Sequence, residues 1–345
     1  MTFGRSRNIL WSLAALAAVL LFNLLFTPRF FDLRMDSGHL YGSLVDILNR
    51  AAPVVLTGLG MTLVIATGGI DLSVGSVMAI SGAVASILIT VNHAPVAVVI
   101  IVPLLVTTII GLWNGVLVAF LDIQPFIATL ILMVSGRGIA QLITSGQIVI
   151  FTNRSFQFIG EGDFLALPFT VTISLLMFLV AFLGTRTTSV GTFIEAVGSN
   201  PVASSYTGIP SRMMKLIAYA FSGLCAGIAG LIVASDIRAA DSNNAGLDIE
   251  LDAILAVVLG GTSLAGGKFF LAGSVIGALI IQTLTTTILI RDINPAMALV
   301  VKAAVVIGVS LLQSSAFRAR LALIPSLWRV RHERTAPEVG AESLE

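Results

Sequence analysis

Apolar residues come in long blocks along this chain, and the polar residues between the blocks are few and clustered. A helix needs about 20 apolar residues to cross a bilayer. The blocks that answer to this pattern are Ile9–Phe26, Ala51–Thr67, Leu72–Thr90, Pro95–Leu121, Pro125–Ile143, Leu167–Gly184, Met214–Ala234, Leu251–Leu264, Phe269–Ile290 and Ala296–Leu312. Two of them, Ala51–Thr67 and Leu251–Leu264, are short and predict re-entrant or broken segments. The pattern predicts an all-α fold: a polytopic membrane bundle of about ten transmembrane helices. It divides the chain into an N-terminus (1–8), a transmembrane domain (9–316) that includes an internal loop (185–212), and a tail (317–345). Ile9–Phe26 runs on past its alanine-rich Ala14–Ala18 stretch, longer than the apolar core of a cleaved leader, so it reads as a retained first span.

The densest information lies in Gly60–Gly82, GMTLVIATGGIDLSVGSVMAISG. Apolar helical sequence breaks at Gly68 and Gly69 and restarts after one acid, Asp71. Glycine supplies the free dihedrals a break needs. In lipid, irregular backbone survives only where protein or a water-filled cavity covers it. Asp71 has two readings: a cap on the next helix, accepting from the N–H of Ser73 or Val74, or a functional acid inside the membrane. A weaker break, Gly260–Gly261 before Leu264, echoes the first, and Asp122-Ile-Gln-Pro125 is echoed by Asp292-Ile-Asn-Pro295. Transport proteins often carry two related halves with paired interruptions.

Composition agrees with the pattern. Of 345 residues, 57% are hydrophobic and 11% charged, with mean hydropathy +1.01; soluble domains carry roughly 25% charged residues. The net charge of +1 gives no basic surface for nucleic acid. Cys225 is the single cysteine, which excludes an internal disulfide. Lys and Arg favour the side carrying Arg5, Arg7, Arg186, Arg212, Lys215 and Lys268, which predicts cytoplasmic termini at both ends.

Three segments on the other side are long: Thr27–Arg50, Gln147–Ala166 and Ser235–Glu250. The last, SDIRAADSNNAGLDIE, is either a solvated loop or a contact for a substrate or an external partner. On the inner side, Asn200-Pro201 reads as a helix cap followed by the first helical residue. Gly208 before Ile209-Pro210 reads as the stop. A short helix in a loop is more than a connector needs, and it predicts a docking element.

Chemistry-bearing residues are sparse. Arg137 lies mid-helix in SGRGIAQ with Gln141 one turn on; a buried Arg must pair or reach water, and Asp71 is one candidate partner. Asn114, Gln124, Thr129 and Gln141 could line a pathway for hydroxylated cargo or bond helix to helix. Lys302 also falls inside an apolar block. His39, His93 and His332 have no metal-ligand spacing, and no metal site is predicted. Gly261–Lys268 brushes a phosphate loop, but Thr262 stands where the first Gly belongs and Phe269 follows the Lys. No catalytic pattern is present, so the chain reads as a non-enzyme with no cofactor of its own.

Taken together, GMTLVIATGGIDLSVGSVMA, IQPFIATLILMVSGRGIAQLITSGQ, FIEAVGSNP and ELDAILAVVLGGTSLAGG resemble the permease subunits of bacterial ribose/xylose/galactose-type sugar ABC importers, from about Val45 to about Ser315. Within that family ILNRAAPV and VASDIRAADSNNAGL are most similar to the galactofuranose branch. The resemblance implies a location in the bacterial inner membrane and a second permease chain, different from this one in the galactofuranose branch. It also implies an ATPase with two nucleotide-binding domains, which spends the ATP, and a periplasmic sugar-binding protein. It assigns Glu195, Ala196, Gly198, Asn200 and Pro201 to the loop that engages the ATPase. The pathway candidates, Asp71, Asn114, Gln124, Arg137 and Gln141, come from the residues alone. A self-contained secondary sugar transporter with an Asp71–Arg137 gating pair is the competing reading, and a scaffolding membrane protein is a third.

Overall fold

The computed structural model describes residues 3–36, 39–294 and 296–313. The proposed tail, 317–345, lies outside the described residues. Helices α1 (Phe3–Phe26), α2 (Ser43–Ala66), α3 (Val74–Thr90), α4 (Val96–Ala119) and α5 (Pro125–Ile143) come first. Helices α6 (Arg154–Glu161), α7 (Phe169–Thr187), α8 (Val190–Ser199), α9 (Pro201–Tyr206) and α10 (Ser211–Asp236) follow. Then come α11 (Ile249–Leu259), α12 (Leu271–Ile290) and α13 (Met297–Gln313). Each of the ten apolar blocks holds a helix, and among the described residues seven helices are long and apolar enough to cross a membrane. The chain is a multi-pass helical membrane protein.

The strands are minor and join loops. β1 (Arg34–Asp36) pairs with β2 (His39–Tyr41), and β4 (Asp163–Phe164) pairs with β5 (Leu167–Pro168). β3 (Val149–Ile150) pairs with β6 (Ala239–Ala240), joining the second and third long segments. These segments gather at one end of the bundle; α8 and α9 sit at the other.

The core forms around α2 and α10, which pack on each other, with α3 and α4 against α10 and α12 against α2. Small residues make this possible. Gly111 of α4 lies against Gly223 of α10, and Gly273 and Gly277 of α12 lie against Gly260 and Ala256. Close backbone approach gives dispersion contact where lipid offers no hydrophobic drive. The outer helices expose leucines and aromatics, such as Leu24, Trp113 and Leu176, as lipid-facing surfaces must.

The apolar pattern misjudged α2. Its helix starts at Ser43, well before Ala51, so this span is full-length and not re-entrant. The polar first turns hide it: Asp46 favours the helix N-terminus, and Asn49 accepts from Thr170 at 2.6 Å. Helical hydrogen bonding continues past the edge of the apolar block, where α7 supplies a partner for Asn49. α11 is short, as its block predicted.

Candidate functional site at the helix breaks

After Ala66 the α2 helix closes with Gly68 N–H on Ile65 O at 2.9 Å, and Gly68 takes φ +84°. That left-handed turn suits glycine. The chain then turns back into the bundle. Asp71 accepts from Ser73 N–H (3.1 Å), Ser73 Oγ (2.6 Å) and Ser222 Oγ of α10 (2.7 Å). Asn114 of α4 donates to Ser73 Oγ at 3.0 Å, while its own Oδ1 is buried without a partner. The loose carbonyl of Ile70 is covered by Thr129 of α5 at 3.2 Å and Tyr219 of α10 at 3.5 Å. The irregular backbone is thus satisfied by side chains of two neighbouring helices, α5 and α10, while α4 bonds the Ser73 hydroxyl.

Depth follows from packing. Ser222 lies against Gly60, six residues before the end of α2. At 1.5 Å per residue the Asp71 cluster sits level with a point about 9 Å back along α2 from its end. Asp71 thus makes the capping contact with the Ser73 N–H that the sequence offered, and makes it inside the bundle. It is 2% exposed and Asn114 is fully buried.

The second break meets the first. α11 ends at Gly260, and the chain runs through Gly266 and Gly267, both at positive φ, before α12 begins. Gly267 N–H donates to Ala66 O at 2.9 Å, the last carbonyl of α2. Against this junction lies α8. A Cβ placed on Gly198 would collide with Ala66 O and Gly267 N, so only glycine fits. Two interrupted helices and the C-terminus of α8 share one backbone contact.

The next helix forms as its cap predicts. Asn200 Oδ1 accepts from Ala203 N–H at 2.9 Å, Pro201 opens α9, and Gly208 ends it at φ +82°. On α9, Val202 and Tyr206 are exposed by 61% and 88%. Glu195 and Arg186 border a cavity of about 200 Å³ beneath α8.

Ser235–Glu250 is neither a plain surface loop nor a helix. After β6 it descends into the bundle, and Gly246 rests against Gly75 in the first turn of α3. Arg137 donates to Ser242 O (3.2 Å) and Ala245 O (2.6 Å), supplying donors to carbonyls that no helix satisfies. Gln141 donates to Asn243 Oδ1 at 2.8 Å. At the rim, Arg238 grips Glu161 of α6 at 2.5 and 2.7 Å, which holds the Glu161 carboxyl below the usual glutamate range.

Three groupings result. Asp71 and Asn114 belong to one network; Arg137 and Gln141 belong to the descending segment; Gln124, exposed at the start of α5, belongs to neither. The suggested Asp71–Arg137 pair does not form: Asp71 is held by Ser73 and Ser222, and the Arg137 guanidinium turns to the Ser242 and Ala245 carbonyls. Ser73 was expected as a backbone donor to Asp71 and also serves through its hydroxyl, whereas Ser222 and Tyr219 escaped the sequence reading. Nothing distinguishes them from other small or aromatic residues in apolar helices until the helices are packed.

Broken helices sealed by polar side chains, within a bundle long enough to span a membrane, define a polytopic helical membrane protein. The chain matches the family described as "Branched-chain amino acid transport system / permease component" over residues 43–310, and it belongs to that family. It is 55% identical over 305 residues to the galactofuranose transporter permease protein YtfT of Escherichia coli (strain K12), covering 88% of this chain and 89% of that one. It is 41% identical over 315 residues to the fructose import permease protein FruF of Bifidobacterium longum, covering 90% and 88%. It is 39% identical over 269 residues to the ribose import permease protein RbsC of Haemophilus influenzae, covering 77% and 83%. No solved structure matches the chain.

Proposed function

We propose that this chain is a transmembrane permease subunit of an ATP-binding-cassette sugar importer in the bacterial inner membrane, and that its sugar is galactofuranose. The 55% identity to the galactofuranose permease across almost the whole chain supports the substrate. The junction of Gly198 with Ala66 and Gly267 carries the mechanism. Glu195, Ala196, Gly198, Asn200 and Pro201 form a docking element on the cytoplasmic side, and both termini lie on that side. Exposed Val202 and Tyr206 suit a protein interface, where aromatic residues are enriched. An ATPase with two nucleotide-binding domains grips α8 and α9 there. A push on α8 reaches the ends of α2, α11 and α12 without an intervening side chain. The Asp71 network then acts as a hinge holding the start of α3, and Arg137 with Gln141 anchors the descending segment. A periplasmic protein delivers the sugar, and a second, different permease chain completes the pore.

The test is affinity capture of this chain from its native membrane followed by mass spectrometry. Recovery of an ATPase, a second permease and a sugar-binding protein is the expected result. This chain recovered alone, and active in liposomes without ATP, overturns the proposal in favour of a secondary transporter.

A further inference from the structure

Lys302 lies in the apolar helix α13 and is buried, yet it is charged and paired: its Nζ stands 2.8 and 2.9 Å from the two carboxylate oxygens of Asp252 on α11. An ion pair taken from water must recover a large desolvation cost, and ionisable residues inside a membrane usually face the bundle interior or a water-filled cavity. This pair lies at the floor of an open groove of about 640 Å³ between α11 and α13, whose apolar wall of Leu247, Leu251 and Leu299 is exposed on the bundle's flank. That volume is within the roughly 300–1,000 Å³ range of small-molecule sites. The groove lies midway along the bundle. Gly246, just before α11, rests on Gly75, and the neighbouring Ser76 touches Gly136, near the middle of α5. The first turn of α11, and Asp252 with it, therefore stands about halfway along the bundle, where interrupted helices build transport sites.

We propose that Asp252 and Lys302 form a sugar-contacting subsite of the translocation pathway. The inference rests on the permease reading only in taking the cargo to be a sugar. A carboxylate accepts from hydroxyls and an ammonium donates to them, so the pair offers a polyol both kinds of partner. Because the two charges are already balanced, no net charge needs to move with the cargo. The leucine wall gives the sugar ring an apolar face to slide against.

The chain's one cysteine, Cys225, is buried, so a C225A background is free of thiols. In that background A303C places a thiol on the cavity wall, and V134C places one on the exposed face of α5 near the same depth. Assembled transporter in membranes is treated with a charged methanethiosulfonate, with and without D-galactose, and uptake of labelled D-galactose by the unmodified transporter is read in parallel. A303C should react about tenfold or more faster than V134C, since only a thiol in contact with water ionises readily, and D-galactose should slow it. Equal, slow labelling of both shows that the cavity faces lipid or a dry interface and overturns the subsite. Labelling that D-galactose leaves unchanged, in a transporter that does take up D-galactose, places the cavity off the pathway and overturns it equally. Absence of uptake by the unmodified transporter counts against the galactose-type cargo, and labelling then decides the aqueous cavity by itself. The paired variant D252N with K302Q adds an independent reading: it should keep complex yield and lower uptake, whereas a purely structural ion pair loses both together.

Discussion

At the residue scale, the buried acid Asp71 is held by three donors and no cation. Hydrogen bonds contribute about 0.5–1.5 kcal/mol each, and more when a buried partner is left unsatisfied. Asp71→Ala should therefore destabilise the protein by about 2 kcal/mol or more, and Ser222→Ala by less, since it removes one bond. Cys225 makes the measurement direct: it is buried and alone, so a thiol-reactive dye reports unfolding on heating. Equal melting of wild type and D71A would show that the network holds nothing. Arg137 invites a second variant. Its removal leaves the Ser242 and Ala245 carbonyls without a donor, at about 1–3 kcal/mol for each buried group. Arg137→Met should speed amide hydrogen exchange across residues 241–248 while α2 stays protected; unchanged exchange would mean that the segment is held by other contacts. The importance of Asp71 and Arg137 was legible in the sequence, because a charge in apolar sequence demands a partner. Which partner was not legible, since Ser222 and Ala245 are more than a hundred residues away in the chain.

At the scale of elements, Gly198 is the point where α8 touches the broken helices. Gly198→Ala should displace α8 from Ala66 and Gly267. Sugar uptake should fall while membrane insertion and ATPase capture persist. Full uptake in G198A would dissociate α8 from the breaks. Gly184→Ala, where nothing lies within reach of the added carbon, is the matched control. The clasp between α6 and the segment after α10 depends on pH. The Glu161 carboxyl is held below its ordinary value by Arg238, so its contribution is present above the unfolded glutamate value near 4.3 and is lost as pH falls through the lower folded value. Amide exchange in α6 should rise in that acid window in wild type and be flat with pH in Glu161→Gln. α9 was readable residue by residue from Asn200, Pro201 and Gly208, because capping chemistry is local. The long form of α2 was not, since its polar first turns look like loop until α7 pairs with them.

At the scale of the whole molecule, the sequence by itself determined the class. Ten apolar blocks with so few charges leave a helical bundle in a membrane as the one way to hide that much apolar surface, and every block does hold a helix. It also determined where the helices break, because glycine pairs and caps act over a few residues. The echo between the two interruptions was visible as well, and Asp122 and Asp292 share a left-handed turn at matching points. Only the tertiary structure decided that the two breaks and α8 meet at one junction, that Arg137 serves a descending backbone and not Asp71, and that Lys302 has Asp252 for a partner. Each of these joins residues distant in sequence. Apolar periodicity says that a face is buried but carries no information about which other face covers it, and in a bundle this uniformly apolar that choice is made by the fit of small residues and a few polar bonds.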